Sequence, residues 1–297
     1  MEELPIAIVI PTYNDSKHLK NCILSISRQI HKPKQIIVID DGSMNDDAFK
    51  VCNSKIFKIL NIEYFKVSNG GPSRARNLGL GYVKTKYVLF LDADDLLLPN
   101  ALIALNDSAK NMSQNYFGVC GRIKFSGKFI SKISNFVPEY NINNIGRIYG
   151  LQGQISSYLL DAAKVREING FMEDMKHYED FYLLLQLLDQ YKLTVINLVT
   201  LVKIQRRGSL SNANYKKSFL GAIKFLDRLE NKRLMDPFEI RVRRKEAYLT
   251  YAKKLLINFK LKKFYLALKF AFKDNVNASN ESLLKPIYIV ISFLIKY

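Results

Sequence analysis

Two groups of aspartates stand where a folded sheet would bring them together. Asp40 and Asp41 follow the apolar run Ile36–Ile39, and Asp92, Asp94 and Asp95 follow Tyr87–Leu91. Short β-branched or aromatic runs of this kind read as buried strands. In open α/β sheets, ligands bind outside the carboxyl ends of such strands. Carboxylates facing one crevice repel each other unless positive charge lies between them. A hard divalent cation carrying a diphosphate supplies that charge through oxygen ligands. The same residue types also cap helices and make turns, and Asp95, followed by Leu96-Leu97-Leu98-Pro99, suits that role as well.

Two further clusters have chemical content. Gly70-Gly71-Pro72-Ser73-Arg74-Ala75-Arg76-Asn77 combines close backbone approach, a helix start and two guanidinium groups, all of which favour a phosphate. It is not a P-loop, because no Gly-Lys-Ser/Thr follows. His177-Tyr178-Glu179-Asp180 precedes an apolar helix carrying Phe181, Leu184, Leu185 and Leu188. Its carboxylates suit the positive end of a helix dipole, and either can also take a proton from an attacking hydroxyl. His177 reads as a surface or packing side chain. No Ser/His/Asp or Cys/His arrangement suggests a covalent intermediate.

The elements that must position these groups alternate. Strands are predicted at Ile6–Ile10, Ile36–Ile39, Ile62–Val67 and Tyr87–Leu91, with helices over residues 15–30 and 74–83 between them. This order implies a mostly parallel sheet covered on both faces. Further on, Phe117–Phe125 and Val195–Ile204 read as strands, residues 161–168 and 179–190 as helices, and 126–150 as polar loop. From 215 to 273 apolar residues recur at spacings of three and four with Lys and Arg between them, a helical pattern.

Of the 297 residues, 48% are hydrophobic and 24% charged, which excludes a wholly disordered chain. The net charge of +18 is uneven: residues 206–297 carry 21 basic and 7 acidic side chains, leaving 24 and 20 for residues 1–205. That contrast marks a boundary and predicts an acidic partner for the last third. Three cysteines, Cys22, Cys52 and Cys120, cannot all pair within one chain and form no metal-like spacing, so a reducing cytoplasmic setting is expected. The first residues lack the pattern of a signal peptide, and no apolar run reaches the roughly 20 residues of a membrane span.

Taken in order, Pro11-Thr12-Tyr13-Asn14, Val38-Ile39-Asp40-Asp41-Gly42-Ser43, Ala75-Arg76-Asn77 with Gly79, Asp92-Ala93-Asp94-Asp95, and Gly170-Phe171 followed by Glu179-Asp180 resemble the family 2 glycosyltransferases of GT-A fold. The resemblance covers about residues 5–210. It implies an α/β domain with a Rossmann-like, mostly parallel mixed sheet flanked by helices. It also implies inverting transfer from a nucleotide-diphosphate sugar, most often a UDP-sugar, assisted by Mn²⁺ or Mg²⁺. Carried over by position, Pro11 and Tyr13 would line the base and ribose pocket and Asp41 would bond the uracil edge. Arg74 or Arg76 would lie near the nucleotide, Asp92 would touch the ribose or sugar, Asp94 would hold the metal, and Asp180 would be the catalytic base. Arg206-Arg207-Gly208-Ser209 resembles a region that closes over the diphosphate, and the Arg pair reads equally as surface charge.

The expected organisation is a catalytic domain over 1–210 and a basic helical region over 211–297. In the latter, Lys253, Lys254, Lys260, Lys262, Lys263 and Lys269 interleave with Leu255, Phe259, Phe264, Leu266 and Phe270, and the apolar stretch 283–295 follows. This fits helices on an anionic membrane surface, a subdomain packed on the core with solvated lysines, or a grip on a polyanionic acceptor. The leading expectation is a hexosyl- or N-acetylhexosaminyltransferase acting on a glycan or lipid-linked glycan acceptor, for a capsule, lipooligosaccharide or teichoic-acid-like polymer. It would sit peripherally at the inner face of the cell membrane. The alternatives are a nucleic-acid-binding protein and a metal-dependent nucleotidyltransferase. Against the former, no zinc-ligand spacing or RNA-binding signature occurs, so no nucleic-acid partner is expected.

Overall fold

The computed structural model describes residues 3–126, 131–133, 154–204, 215–257 and 261–273. They divide into two compact units, one ending at residue 204 and the other formed by residues 215–257 and 261–273. The predicted 126–150 loop lies almost wholly outside the described residues, as do Arg206-Arg207-Gly208-Ser209 and the apolar stretch 283–295.

The first unit runs β1 (Glu3–Thr12), α1 (Ser16–Ser27), β2 (Lys32–Asp40), α2 (Asp47–Cys52), β3 (Ile62–Lys66), α3 (Pro72–Tyr82), β4 (Tyr87–Phe90), β5 (Asp95–Leu97) and α4 (Ala101–Lys110). It continues with β6 (Tyr116–Ser126), β7 (Ser131–Ile133), β8 (Tyr158–Asp161), α5 (Ala162–Glu167), α6 (Glu179–Gln190) and β9 (Lys192–Ile204). Among the described residues the sheet order is β3-β2-β1-β4-β8-β6-β9-β5, with β7 on β6. The β3-β2-β1-β4 half is parallel, as strands joined by covering helices must be. The other half is mixed: β8 is antiparallel to β4 and β6, β9 parallel to β6, and β5 antiparallel to β9.

The apolar runs became strands because both faces of the parallel half are covered, so continuous rather than alternating hydrophobic residues are required. Ile6 to Ile10 and Ile36 to Ile39 are fully buried. One face packs Ile8, Ile10, Val38 and Leu89 against Leu19, Ile23 and Ile26 of α1 and Leu102 and Leu105 of α4. On the other face α3 approaches so closely that a Cβ on Gly79 would lie 2.3 Å from the Val9 side chain. Only glycine lets α3 settle at that depth.

Asp95 differs from the turn or cap role that its sequence context allows. It opens β5 and is fully buried, because Asp95-Leu96-Leu97 pairs with Leu201–Lys203 of β9. Strand β5 has three residues and β8 four, too short for any period to show in sequence.

In the second unit, α7 (Tyr215–Asn231), α8 (Pro237–Ile257) and α9 (Leu261–Ala271) follow the predicted helical pattern. Asp236 caps α8 by accepting from the Phe238 and Glu239 amides, and Arg244 ties α8 to Asp227 and Glu230 of α7. Leu249, Ala252 and Leu255 of α8 bury against Phe264, Ala267, Leu268 and Ala271 of α9. Among the described residues no helix is long and apolar enough to cross a membrane.

Candidate active site

The candidate site gathers at the carboxyl ends of β1, β2 and β4, as the strand rule requires. The amide of Asp41 donates to the Thr12 carbonyl, joining the ends of β1 and β2. Asp40 is structural: its carboxylate accepts from the Ser43 amide at 2.8 Å and the Tyr64 hydroxyl at 2.7 Å. The Asp41 carboxylate accepts the Gly70 and Gly71 amides, each at 2.8 Å. Gly71 adopts φ +92, a left-handed conformation that lets both N–H groups point at one carboxylate before α3 begins. Pro11 is half-buried at the end of β1, and the neighbouring Tyr13 is exposed.

The two arginines, interchangeable by sequence, separate here. Arg74 reaches back to the Ser68 carbonyl and hydroxyl. Arg76 is buried, and three carboxylates converge on it. Its Nη2 donates to Asp92 at 2.7 Å, and its Nη1 lies 3.3 Å from Glu179 and 3.4 Å from Asp180. The guanidinium also rests over the Phe171 ring at 5.2 Å, and that ring packs edge-on against Phe90. One fork therefore joins the end of β4 to the start of α6.

Asn77, one turn from the start of α3, explains why the Gly170-Phe171 pair belongs to this site. Its Oδ1 accepts the Phe171 amide and its Nδ2 donates to the Phe171 carbonyl, both at 2.8 Å. This clamp holds Phe171 under Arg76. At the start of α6, Tyr178 takes φ +65, a left-handed turn that presents Glu179 and Asp180 in the first helical turn. Asp180 is buried and also accepts from the Ile155 amide at 3.4 Å.

Electrostatics follow from this crowding. Burial outweighs the attraction of Arg76, which is shared among three carboxylates, and pushes Asp180 up to about 7. Burial acts the same way on Asp92, yet Arg76 and Lys203 overcome it and hold that carboxyl below its usual range. Asp95 is pushed up to about 7 by burial and the neighbouring Asp92 charge.

Asp92, Asp94 and Asp95 place carboxylate oxygens within 4.8 Å of one another. Neither buried Asp95 oxygen makes a well-formed hydrogen bond, and its nearest cation is Lys203 Nζ at 3.7 Å. An all-oxygen set whose buried Asp95 carboxylate has only Ser156 and Lys203 beside it to offset its charge fits a hard ion such as Mg²⁺ or Mn²⁺.

Ser156 and Lys203 were not singled out by the sequence. Ser156 accepts the Asp92 amide, and Lys203 arrives from β9. A serine in a loop and a lysine on a late strand have no distinctive spacing; only the strand order reveals them. A metal held by the acidic cluster would have to compete with Lys203. Lys203→Met is therefore expected to raise Mn²⁺ affinity roughly tenfold, read by calorimetry of the protein without donor. An unchanged affinity removes Lys203 from that role.

The pattern of glycosyl transferase family 2 matches residues 7–164, more than half of the chain. The chain belongs to glycosyltransferase family 2. A Haemophilus influenzae uncharacterized glycosyltransferase is 26% identical over 234 residues, covering 74% of this chain and 91% of that protein. Glycosyltransferase GlyG of Streptococcus pneumoniae is 32% identical over 106 residues, which is 35% of either chain. An Escherichia coli relative, named UDP-Glc:alpha-D-GlcNAc-diphosphoundecaprenol beta-1,3-glucosyltransferase WfgD, is 27% identical over 66% of this chain and 75% of its own length. The crystal structure of S. aureus TarS 1–349 superimposes with TM-score 0.61 at 20% identity, covering 90% of this family 2 chain and 79% of TarS. It shares the GT-A fold. The same TarS fragment has been solved with UDP-GlcNAc, at TM-score 0.55, 84% coverage of this chain and 80% of TarS.

Proposed function

We propose that this family 2 enzyme transfers a hexosyl or N-acetylhexosaminyl group from a UDP-sugar, with inversion, to a hydroxyl of a lipid-linked cell-envelope glycan. The observation that carries the reading is Arg76, which ties the acidic cluster after β4 to the buried Asp180 carboxylate. Binding of UDP-GlcNAc by TarS and the WfgD name support the donor and acceptor classes.

In this reading Pro11 and Tyr13 line the base and ribose pocket. Asp41, held by two backbone amides, keeps lone pairs for the uracil edge. Asp92 orients the sugar, and Arg76 lies beside it. Asp94, aided by Asp92 and Asp95, would hold Mn²⁺ or Mg²⁺, which when bound offsets negative charge on the diphosphate. Asp180 accepts the proton from the acceptor hydroxyl as that oxygen attacks the anomeric carbon. The bond from that carbon to the diphosphate breaks, its electron pair leaves with UDP, and configuration inverts. A single displacement needs one base and no enzyme nucleophile. The catalytic domain spans residues 1–210, the basic region spans 211–297, and the enzyme works at the inner face of the cell membrane.

The test is calorimetric binding of UDP, GDP, CDP and ADP, each with and without Mn²⁺. Binding of UDP alone, strengthened by Mn²⁺ and insensitive to it in Asp94→Ala, is the expected result. Release of pyrophosphate instead of UDP during turnover would make the protein a nucleotidyltransferase.

A further inference from the structure

The second unit has a face that its own packing leaves largely open. Of the apolar residues in the basic region, Leu255 and Phe264 are consumed by the contact between α8 and α9. Leu266 and Phe270 remain 46% and 53% exposed, although one face of the Phe270 ring stacks on Tyr248 of α8 at 5.5 Å. They lie four residues apart, hence side by side on the helix. Lys263, Lys269 and Lys273 are exposed. At 3.6 residues per turn Lys263, Leu266, Lys269 and Phe270 fall within an arc of about 120°, and Lys273 follows two residues past the end of the helix. The two apolar side chains lie between Lys263 on one edge and Lys269 on the other. The opposite arc, Phe264, Ala267, Leu268 and Ala271, is the buried one.

We infer that this outer face of α9 docks on an anionic lipid surface. The inference deepens the membrane-side reading above by naming the surface that makes contact, and it rests on that reading only for the acceptor. An apolar stripe edged by lysines matches a bilayer interface: Leu266 and Phe270 enter the acyl boundary, and the lysine stems reach up to anionic headgroups. Other occupants fit less well. A second copy meeting the same face would bring lysine edges against lysine edges. The chain's own stretch 283–295 contains Lys285 and is followed by Lys296, adding positive charge to a positive rim. A polyanionic polymer would satisfy the lysines and leave the open surface of Leu266 and Phe270 in water.

The experiment is co-sedimentation of the full chain with vesicles of phosphatidylcholine alone or with about a third phosphatidylglycerol. Binding is expected only to the anionic vesicles and should weaken strongly in high salt. Replacing Lys263, Lys269 and Lys273 together by serine should weaken it by about a hundredfold, from roughly fivefold per lysine near the surface. Leu266→Glu with Phe270→Glu should abolish it. Both variants should still bind UDP as the parent does, so loss of vesicle binding is separable from failure of the nucleotide site. Equal binding to neutral vesicles, or anionic binding that survives both variants, overturns the inference. So does capture of soluble poly(glycerol phosphate) with no vesicle binding, which would make the face a polymer grip. Self-association abolished by Leu266→Glu, again without vesicle binding, would make it an interface between copies.

Discussion

Asp180→Asn is expected to lower the transfer rate by about 10³-fold while leaving UDP affinity within about twofold. Asparagine keeps the shape and still accepts from the Ile155 amide, but it cannot take a proton. The pH dependence of the parent gives a second reading of the same residue. A general base works deprotonated, and burial raises Asp180 to about 7 rather than the usual carboxylate range near 4. Activity should therefore climb through about pH 7 and fall roughly tenfold per unit below it. An acid limb near pH 4, or an Asn variant that loses UDP binding together with turnover, would take Asp180 out of the role of base.

Arg76→Ala is expected to abolish transfer and to cost about 3–5 kcal/mol of stability at neutral pH. Removing this buried fork leaves Asp92, Glu179 and Asp180 facing one another without their shared cation. Asp180 would be pushed further up and stay protonated at neutral pH, so the base would be lost even with its side chain in place. The stability loss should depend on pH in a definite sense. Asp92 is held below its usual range in the folded protein, so its ionised form adds stability above the unfolded value near 4, and that contribution disappears as pH falls. The variant lacks the Arg76 part of this contribution and gains repulsion instead. Its deficit relative to the parent should be largest near pH 8 and shrink toward pH 5, where carboxylates neutralise. Urea unfolding at several pH values checks this. Arg76→Lys keeps the charge but not the fork, and should recover stability more fully than activity. A deficit independent of pH would mean that Arg76 acts only by packing over Phe171.

Much of this was legible before folding was considered. Parallel strands buried on both faces must be written as continuous apolar runs, so Ile6–Ile10, Ile36–Ile39 and Tyr87–Leu91 announce themselves. The motifs at their ends carried the family resemblance, and the family 2 match over residues 7–164 agrees with it. The change of charge after residue 205 set the basic helices apart.

Tertiary structure decided which of two nearby arginines is buried among the acids. Arg74 and Arg76 are two residues apart on α3, so they cannot face the same way, and the packing of Gly79 on Val9 sets which one turns inward. It also turned Asp95 from a turn candidate into a buried strand residue beside Lys203, a partner more than a hundred positions away. It sorted Leu266 and Phe270 from Leu255 and Phe264, which have the same chemistry and similar spacing. The sequence by itself determined which local elements form and which chemical groups stand at their ends, because apolar period and turn chemistry act over a few residues. Partner, burial and charge state were left to the fold, because each depends on segments that meet only when distant strands and helices pack.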